Sequence, residues 1–271
     1  MPLATTLRAG SLNCVFSIET EGPVARITLA NPKRRNALSL ELMQRLTEAL
    51  SELGQKTDVG VIVVAGEGPA FSAGHDLSEM VDRDAQFYDD LFAACTELMD
   101  AVHAVPQPVI AEVAGVATAA GCQLVAACDL AVASTEATFA TPGVRIGLFC
   151  STPMVPISRA VGRKRAMEML LTGEPIGAAT AAEWGLVNRV APPDQLRAEV
   201  DKLAARITRY SDHTIAIGKR AFYRQIDFSE PEAYELTREV MAANAGTADA
   251  QEGIDAFLTK RSPSWSGRRG S

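Results

Sequence analysis

Apolar and polar residues alternate in two segments near the start of the chain, residues 14–21 and 24–30, on either side of Gly22 and Pro23. A period of two is typical of a half-buried strand, and a Gly-Pro pair favours a turn, so this pattern predicts a hairpin. Three later runs are apolar throughout, as in strands that are buried on both faces. The buried strands are predicted over residues 59–65, 109–113 and 130–133.

Helical spacing separates these predicted strands. Ser39 is suited to begin a helix that ends near Gly54, because a serine side chain accepts a hydrogen bond from the first helical amides. A second helix is predicted over residues 84–105, and a helical turn over 123–128. The apolar face of the first helix contains Leu42, Met43, Leu46, Ala49, Leu50 and Leu53.

From about residue 158 the pattern becomes helical throughout. The chain therefore divides into an α/β core, residues 1–195, and a helical C-terminal region, residues 196–271. One face of the C-terminal helices is apolar enough to favour packing against another chain. Helices are predicted over residues 159–171, 178–184, 195–210, 214–225 and 232–260, the last with interruptions.

Composition excludes several classes of protein. The formal net charge of −7 disfavours nucleic acid as a partner, since neutralising many phosphates needs an excess of basic residues. No apolar run reaches the ~18 residues of a membrane span, so no membrane partner is expected. The five cysteines are odd in number and include no C-x-x-C pair, which argues against a disulfide framework or a zinc site.

The N-terminal segment bears on the location of the protein. It has no long apolar run, so it does not resemble a secretory signal. It contains Arg, Ser and Thr but no acidic residue, which leaves a flexible leader and a short transit peptide as alternatives. With the unpaired cysteines, this pattern favours the reducing cytoplasm as the expected location.

Two loops rich in small residues follow apolar strands: residues 71–77 (FSAGHDL) and 117–123 (ATAAGCQ). Ala and Gly at the start of a helix leave N–H groups open to a ligand, and the helix dipole adds positive potential there. Small side chains also allow a ligand to approach the backbone closely. One such turn is more typical of close packing, but two turns, each after an apolar strand, make amide presentation a candidate interpretation.

Segments spread over nearly the whole chain match one known family in content and order. They are residues 31–38, 71–77, 109–115, 119–124, 126–129, 139–142, 162–173, 182–187 and 252–261. On these segments the sequence resembles the crotonase (enoyl-CoA hydratase/isomerase) superfamily. The resemblance implies a ClpP/crotonase-like α/β fold, with a spiral core of repeated ββα turns and a helical C-terminal region that forms homotrimers or hexamers. It also implies an acyl-CoA thioester as the substrate, with no cofactor beyond the coenzyme A of that substrate and no metal.

The resemblance further implies an oxyanion hole made of two backbone amides. One is the N–H of His75, which follows the Gly of the first loop, and the other is the N–H of Ala120, where the family usually has Gly. Lys33, Arg34 and Arg35 match the segment at the coenzyme A entrance, although a solvated charge run is the alternative interpretation. The implied coenzyme A-binding positions are Lys33, Arg34, Arg35, Ala37, Ala73, His75, Asp76 and Leu77, with Phe257 and Lys260 towards the adenine.

The two carboxylates with which relatives hydrate a double bond are absent. Gln123 stands at the position of the first glutamate and Gly143 at that of the second. Glutamine cannot exchange a proton near neutral pH, and glycine has no side chain. Because each general acid or base contributes about 10²–10⁴ in rate, we expect little classical hydratase activity.

Other residues near the loops are candidates to replace the glutamates. Glu112 is either a partly buried acid with a raised pKa or a member of a packed ion pair. The ring of His75 is a candidate base, whereas Asp76 is expected to hold its turn. Arg145 is a candidate partner for a substrate carboxylate, and Cys150 is expected to belong to the core.

The function predicted from the sequence is therefore that of an acyl-CoA-binding member of this family, nominally an enoyl-CoA hydratase. Two alternatives remain open. One is different acyl-CoA chemistry, such as decarboxylation, thioester hydrolysis or isomerisation, that depends on the oxyanion hole alone. The other is an acyl-CoA binder without catalytic activity.

Overall fold

The computed structural model describes residues 5–7 and 15–266, so Cys14, at the start of the predicted hairpin, lies outside the described residues. Within the described ranges, the strands form one sheet of seven and one of four. The strands are β1 (Thr5–Leu7), β2 (Phe16–Glu21), β3 (Val24–Leu29), β4 (Val61–Gly66), β5 (Ala70–Ser72), β6 (Val109–Val113), β7 (Val116–Thr118), β8 (Leu130–Ser134), β9 (Thr138–Ala140), β10 (Ile176–Gly177) and β11 (Arg189–Ala191).

The larger sheet has the order β1-β2-β3-β4-β6-β8-β11. The predicted hairpin is confirmed as β2 and β3, which pair antiparallel around Gly22. The strands from β3 to β11 are parallel, and β4 is buried at five consecutive positions, as its continuous apolar run predicts. The smaller sheet has the order β10-β9-β7-β5, with β5, β7 and β9 parallel.

The helices follow the predicted order with shifted ends. The predicted helix over residues 159–171 is two helices, because Gly162 adopts a φ of 80° between them. The predicted turn over residues 123–128 belongs to a helix that begins three residues earlier. The helices are α1 (Leu40–Gln55), α2 (Ala85–Ala104), α3 (Ala120–Ala127), α4 (Met154–Val161), α5 (Arg163–Thr172), α6 (Ala178–Trp184), α7 (Leu196–Thr208), α8 (Asp212–Gln225), α9 (Glu230–Ala245) and α10 (Ala248–Leu258).

A ββα unit repeats along the core. The units are β4-β5-α2, β6-β7-α3 and β8-β9-α4, and each places one strand in the larger sheet and the next in the smaller. Because successive units add parallel strands to both sheets, the chain winds as a spiral. The predicted α/β class and the repeated ββα core are confirmed. The repeat also aligns the turns after β5 and β7, which adjoin because these two strands pair directly.

The helical C-terminal region has two parts that differ in burial. Helix α7 packs on the larger sheet, where Leu196, Val200 and Leu203 join a buried cluster with Val61 and Ile110. Helices α8 and α9, by contrast, contain no buried residue, and α10 contains two. The proposed boundary after residue 195 thus marks the end of the strands, while α7 shares the core of the sheet.

Helix α8 is fastened to the core by Lys219, a half-buried residue whose side chain is 7% exposed. The ammonium of Lys219 donates to the carbonyls of Val102 and Gln107 and to the carboxylate of Asp129, at 2.8, 2.9 and 2.6 Å. The hydroxyl of Tyr223 donates to the other oxygen of Asp129 at 2.7 Å. Among the described residues, no helix is long and apolar enough to cross a membrane.

Candidate functional site

The first small-residue loop leaves the end of β5 as Ala73, Gly74 and His75. A single parallel bridge ties it to the segment before α1, since the Leu38 amide donates to the Gly74 carbonyl at 2.7 Å and the Asp76 amide donates to the Leu38 carbonyl at 3.1 Å. These two bonds turn the His75 amide away from Leu38. The loop therefore presents one backbone N–H on its free side.

Asp76 holds the far end of this loop, as expected. Its carboxylate accepts hydrogen bonds from the amide and the hydroxyl of Ser78, at 3.1 and 2.6 Å, and forms an ion pair with Arg34. Burial opposes ionisation of Asp76, but the bonds from Ser78 and the charge of Arg34 outweigh it and lower its pKa. The basic loop is thereby joined to the candidate site, because the Ala73 amide also donates to the Arg35 carbonyl at 2.9 Å.

The second loop leaves β7 and begins α3. Ala119 adopts a φ of 50° and a ψ of −120°, a conformation that residues other than glycine rarely adopt. Its amide donates to the Ala140 carbonyl at 2.9 Å, which holds it in place. The next amide, that of Ala120, is the first of α3 and has the helix dipole behind it.

The two loops touch through glycines that no other residue could replace. A β-carbon on Gly74 would lie 2.9 Å from the Ala119 β-carbon and 3.1 Å from the Ala120 nitrogen, and Gly74 has a φ of 90°. A β-carbon on Gly121 would lie 2.2 Å from the Ser72 carbonyl oxygen. The Thr118 hydroxyl adds a hydrogen bond to the Ala73 carbonyl at 3.0 Å. Close packing and amide presentation, the two interpretations of small residues, therefore occur together.

A cavity of about 410 Å³ opens against both loops. Within the described part of the chain, neither the His75 N–H nor the Ala120 N–H donates to a protein acceptor. His75 and Ala120 both line the cavity, and no Asp or Glu side chain of the described residues does. The other lining residues are Ala73, Leu77, Phe92, Ala119, Pro142, Gly143, Arg145, Ile146, Leu148, Phe149, Cys150, Ser151, Thr152 and Pro153.

The two positions of the missing glutamates differ in their surroundings. Gln123 is buried on α3, its side-chain oxygen accepts from the Cys95 thiol at 3.6 Å, and it lines a neighbouring cavity instead. Gly143 does line the cavity, but a β-carbon there would lie 2.0 Å from the Leu148 carbonyl oxygen. The backbone at 143 thus leaves no room for a side chain of any kind.

The candidate substitutes for the glutamates are mostly engaged elsewhere. Glu112 forms a buried ion pair with Arg26 at the larger sheet, which agrees with the ion-pair interpretation. Arg145 lines the cavity but is paired with Glu174 at 2.5 Å. Cys150 is buried, and burial raises the pKa of its thiol, which disfavours the thiolate. The ring of His75 lies against Phe92 at the cavity, and burial lowers its pKa to about 4, which disfavours the imidazolium.

The structure brings together the first loop, the second loop and the basic segment, but not the C-terminal candidates. Lys33, Arg34 and Arg35 are exposed on the turn that contacts Ala73, and Ala37 adjoins the bridge at Leu38. Phe257 and Lys260 lie exposed at the end of α10 and do not line the cavity of their own chain. Their predicted contact with adenine remains a prediction.

Sequence reasoning missed the opposite wall of the cavity. Phe92, on α2, contacts the ring of His75 edge-on with ring centroids 5.4 Å apart. Leu148, Phe149 and Thr152 come from the turn before α4. Their one sequence signal was a cluster of apolar residues in a segment without periodicity, which does not distinguish a cavity wall from a core.

The fold is thus a ββα spiral in which the turns after β5 and β7 adjoin and line one cavity. The chain belongs to the enoyl-CoA hydratase/isomerase family, whose model matches residues 19–268. It is 47% identical over 251 residues to enoyl-CoA hydratase domain-containing protein 3, mitochondrial, of Mus musculus, covering 92% of this chain and 84% of that protein. It is 36% identical to a probable enoyl-CoA hydratase of Mycobacterium tuberculosis, over 93% and 97% of the two chains.

Solved structures agree with the crotonase fold. A crystal structure of an enoyl-CoA hydratase from Mycobacterium smegmatis superposes with a TM-score of 0.89 at 45% identity, covering 98% of this chain and 99% of that one. The crystal structure of human enoyl-CoA hydratase domain-containing protein 3 superposes with a TM-score of 0.90 at 45% identity, covering 93% and 100%.

The names of the relatives correct the expected location. The cytoplasmic prediction is wrong on this comparison, because the similar proteins from Mus musculus, Xenopus laevis and Homo sapiens are all named mitochondrial. The argument from unpaired cysteines could not separate the two locations, since it identifies a reducing environment and not a compartment. The transit-peptide alternative falls on the N-terminal segment, where Thr5–Leu7 are described and residues 1–4 and 8–14 lie outside the described residues.

Proposed function

We propose that this protein binds an acyl-CoA thioester and holds the thioester carbonyl oxygen between the N–H groups of His75 and Ala120. The observation that carries the proposal is the pair of amides without protein acceptors, on glycine-locked loops that face one cavity. The names of relatives as enoyl-CoA hydratases support the substrate class. Nominally, then, the protein is an enoyl-CoA hydratase-type lyase.

The chemistry of the proposed site follows from the backbone. Two preorganised N–H donors stabilise negative charge that develops on the carbonyl oxygen, whether as an enolate or as a tetrahedral intermediate. Loss of one such donor typically reduces the rate by about 10²–10³. The exposed basic side chains Lys33, Arg34 and Arg35 adjoin the first loop, where they would attract the phosphates of coenzyme A.

Classical hydration is not the reaction we propose. It needs one group to activate water at Cβ and one to protonate Cα. Gln123 lines the neighbouring cavity and not this one, and Gly143 has no space for a side chain. With Gln123 and Gly143 in place of the two glutamates, the chain keeps the two amides that would polarise a thioester but lacks the carboxylate pair. The remaining functions are other acyl-CoA chemistry and acyl-CoA binding without catalysis.

The proposal is tested with purified full-length protein. Calorimetry with butyryl-CoA and with free coenzyme A should give tighter binding of the thioester, because only the thioester has a carbonyl for the two amides. Crotonyl-CoA absorbance should decay no faster than in buffer. Equal affinity for coenzyme A and butyryl-CoA would contradict the oxyanion hole, and rapid loss of absorbance would restore hydration.

We also propose that the protein is a homotrimer or a dimer of trimers. Large apolar side chains on α8, α9 and α10, and at Ile226 directly after α8, are exposed in the single chain, which supports burial against another copy. They are Phe222, Ile226, Tyr234, Met241, Ile254, Phe257 and Leu258. Sedimentation equilibrium measures the mass directly, and a monomer at micromolar concentration would refute the assembly.

A further inference from the structure

The neighbouring cavity that Gln123 lines, called the second cavity from here on, has a volume of about 490 Å³ and lies between α2, α3, α4 and α8. Thr152 lines both cavities. Helix α3 also runs from one to the other, because its first residue, Ala120, lines the first cavity, whereas Gln123 and Ala127 line the second. Residues three and four apart lie on one face of a helix, so this face of α3 forms a continuous wall along both cavities.

The side chain of Gln123 is oriented by a hydrogen bond from the core. Burial raises the pKa of Cys95 to about 12, so Cys95 is a neutral thiol at pH 7 and donates to the Gln123 side-chain oxygen at 3.6 Å. A glutamine amide has an oxygen that accepts and a nitrogen that donates, so this bond assigns the oxygen to the side of Cys95. The amide nitrogen therefore occupies the other branch of the side chain.

The Gln123 amide nitrogen is a donor without an acceptor. Within the described residues it donates to no protein group, although the residue is only 3% exposed. It is not among the side-chain atoms that the fold shields completely from solvent, whereas both ring nitrogens of His75 are. Buried polar groups are nearly always bonded. A donor that reaches the wall of a cavity therefore indicates that an acceptor atom in the cavity completes it.

The charges around the second cavity favour a neutral acceptor. Arg159 pairs with Asp227 at 3.5 Å, and both side chains are more than half exposed. Asp100 adds a second carboxylate to the lining. Nε2 of His103 donates to a backbone carbonyl at 3.0 Å, and burial lowers the pKa of this ring, which is therefore neutral at pH 7. A carboxylate buried beside Gln123 would thus meet no unpaired cation of the described residues to offset its desolvation.

The spacing along α3 relates the Gln123 amide to the thioester. In the binding mode proposed above, the thioester carbonyl lies at the Ala120 N–H. The β-carbons of residues three apart in a helix are about 5–6 Å from each other, a distance that a chain of roughly four to six carbons spans. An acyl chain that follows this face of α3 past Thr152 would therefore bring its later carbons to Gln123.

We propose that the acyl chain extends into the second cavity and that the side-chain amide of Gln123 donates to a neutral oxygen of that chain. The substrate class is then an acyl-CoA thioester with a ketone or a hydroxyl on about the fourth to sixth carbon. The inference rests on the proposed binding of the thioester carbonyl by the His75 and Ala120 amides. It gives Gln123 a role in recognising the substrate, at the position where relatives use a glutamate for proton transfer.

A plain hydrocarbon chain would occupy the same space without meeting the donor. A site with a buried polar group rejects an analogue that cannot bond to it, because that group is left unpaired when the ligand binds. Gln123 would therefore act through specificity and not through the chemical step.

The test measures the affinity of the full-length protein for acyl-CoAs of one chain length by calorimetry. The ligands are heptanoyl-CoA, its 4-, 5- and 6-oxo derivatives, and heptanedioyl-CoA, which ends in a carboxylate. We expect at least one oxo derivative to bind about 5-fold tighter than heptanoyl-CoA or more, because only the ketone bonds to the Gln123 amide. Heptanedioyl-CoA should bind more weakly than heptanoyl-CoA, because its carboxylate loses water without gaining a cation.

Gln123→Leu removes the donor and keeps a similar volume. The ratio of the affinities for the best oxo derivative and for heptanoyl-CoA should fall by about 5-fold to 100-fold in this variant. Gln86→Leu, at an exposed glutamine of α2 that lines neither cavity, is the matched control and should keep the wild-type ratio. The comparison of ligands within the wild type does not depend on the folding of any variant.

The outcomes separate this inference from the proposed function. Equal affinities for heptanoyl-CoA and all three oxo derivatives, or an unchanged ratio in Gln123→Leu, would overturn the inference and leave thioester binding in place. Tighter binding of heptanedioyl-CoA than of every oxo derivative would also overturn it, since a charged group would then be the preferred occupant. Absence of binding of all these thioesters would instead refute the proposed function and the inference together.

Discussion

The amide side of the cavity and the positions of the missing carboxylates differ in what preserves them. The His75 and Ala120 amides are held by Gly74 and Gly121, whose replacement would drive a β-carbon into backbone atoms. The side chain of Gln123 is buried and, within the described ranges, makes one weak hydrogen bond, from the Cys95 thiol. One side of the site is therefore built into the fold, and the other depends on individual side chains.

This difference explains how one fold supports several reactions. Substituting a side chain removes acid–base chemistry without moving the backbone, whereas removing an amide donor requires the loops to separate. At Gly143 the change extends further, because the Leu148 carbonyl now occupies the space of a β-carbon. The carboxylate there could not return by a single substitution without a backbone shift.

We expect the largest effect on stability and binding from the substitution Gly74→Ala. The new β-carbon would lie 2.9 Å from the Thr118 carbonyl oxygen, and the φ of residue 74 is 90°. Overpacking costs about 1–3 kcal/mol, and backbone strain adds to it. We therefore expect the free energy of unfolding to fall by about 3 kcal/mol or more. Thioester binding should be abolished in any folded fraction. Urea unfolding and calorimetry measure the two effects.

Gly218→Ala is the control for that variant. Gly218 lies in α8, and a β-carbon there meets nothing within 4 Å, so the change should raise stability by about 0.5–1 kcal/mol. Gly74→Ala protein with normal stability and affinity would mean that the two loops are not packed as described.

An intermediate effect is expected at the two glutamate positions. Gly143→Glu should destabilise the protein by about 1–3 kcal/mol or more, because the side chain meets the Leu148 carbonyl, whereas Gln123→Glu keeps the shape of the residue it replaces. Neither variant should hydrate crotonyl-CoA. Thermal unfolding measures the stability of each variant, and crotonyl-CoA absorbance measures its hydratase activity. A well-folded Gly143→Glu protein with hydratase activity would contradict the distinction between the amide loops and the glutamate positions.

The smallest expected effect concerns Asp76. Its pKa is lowered in the folded state, so its ionised form contributes stability above the unfolded pKa of about 3.9 and loses it as the pH falls through the folded value. Asp76→Asn should cost less than about 1 kcal/mol at pH 7, since solvent screens the pair with Arg34. The unfolding free energies of the variant and the wild type should converge at acid pH. A difference that stays constant with pH would show that the ionised carboxylate of Asp76 is not its cause.

The sequence predicted those parts of the fold that have strong local signals. The hairpin around Gly22, the cap at Ser39 and strand β6 were found because alternation, capping and apolar runs are local properties. Strands β5, β7 and β9 have three residues each, which is too short for a period to appear. The break at Gly162 was missed, since one glycine in an apolar helical pattern does not reveal its φ.

The site was predictable to a similar extent. The amides of His75 and Ala120 followed from the resemblance and from the small residues around them. The packing of Phe92 on the His75 ring and the closure at Gly143 could not be predicted, because both depend on groups brought together by distant turns. Phe92 comes from α2, and the Leu148 carbonyl from the turn after Gly147.

The bridge between Leu38 and His75 has one further consequence. It fastens the basic turn at Lys33–Arg35 to the loop that contains His75 through a few short backbone bonds. In the binding mode proposed above, the two ends of the site would therefore keep a constant spacing, and the length of the ligand would have to match it. A thioester on a shorter arm would satisfy one end or the other, but not both.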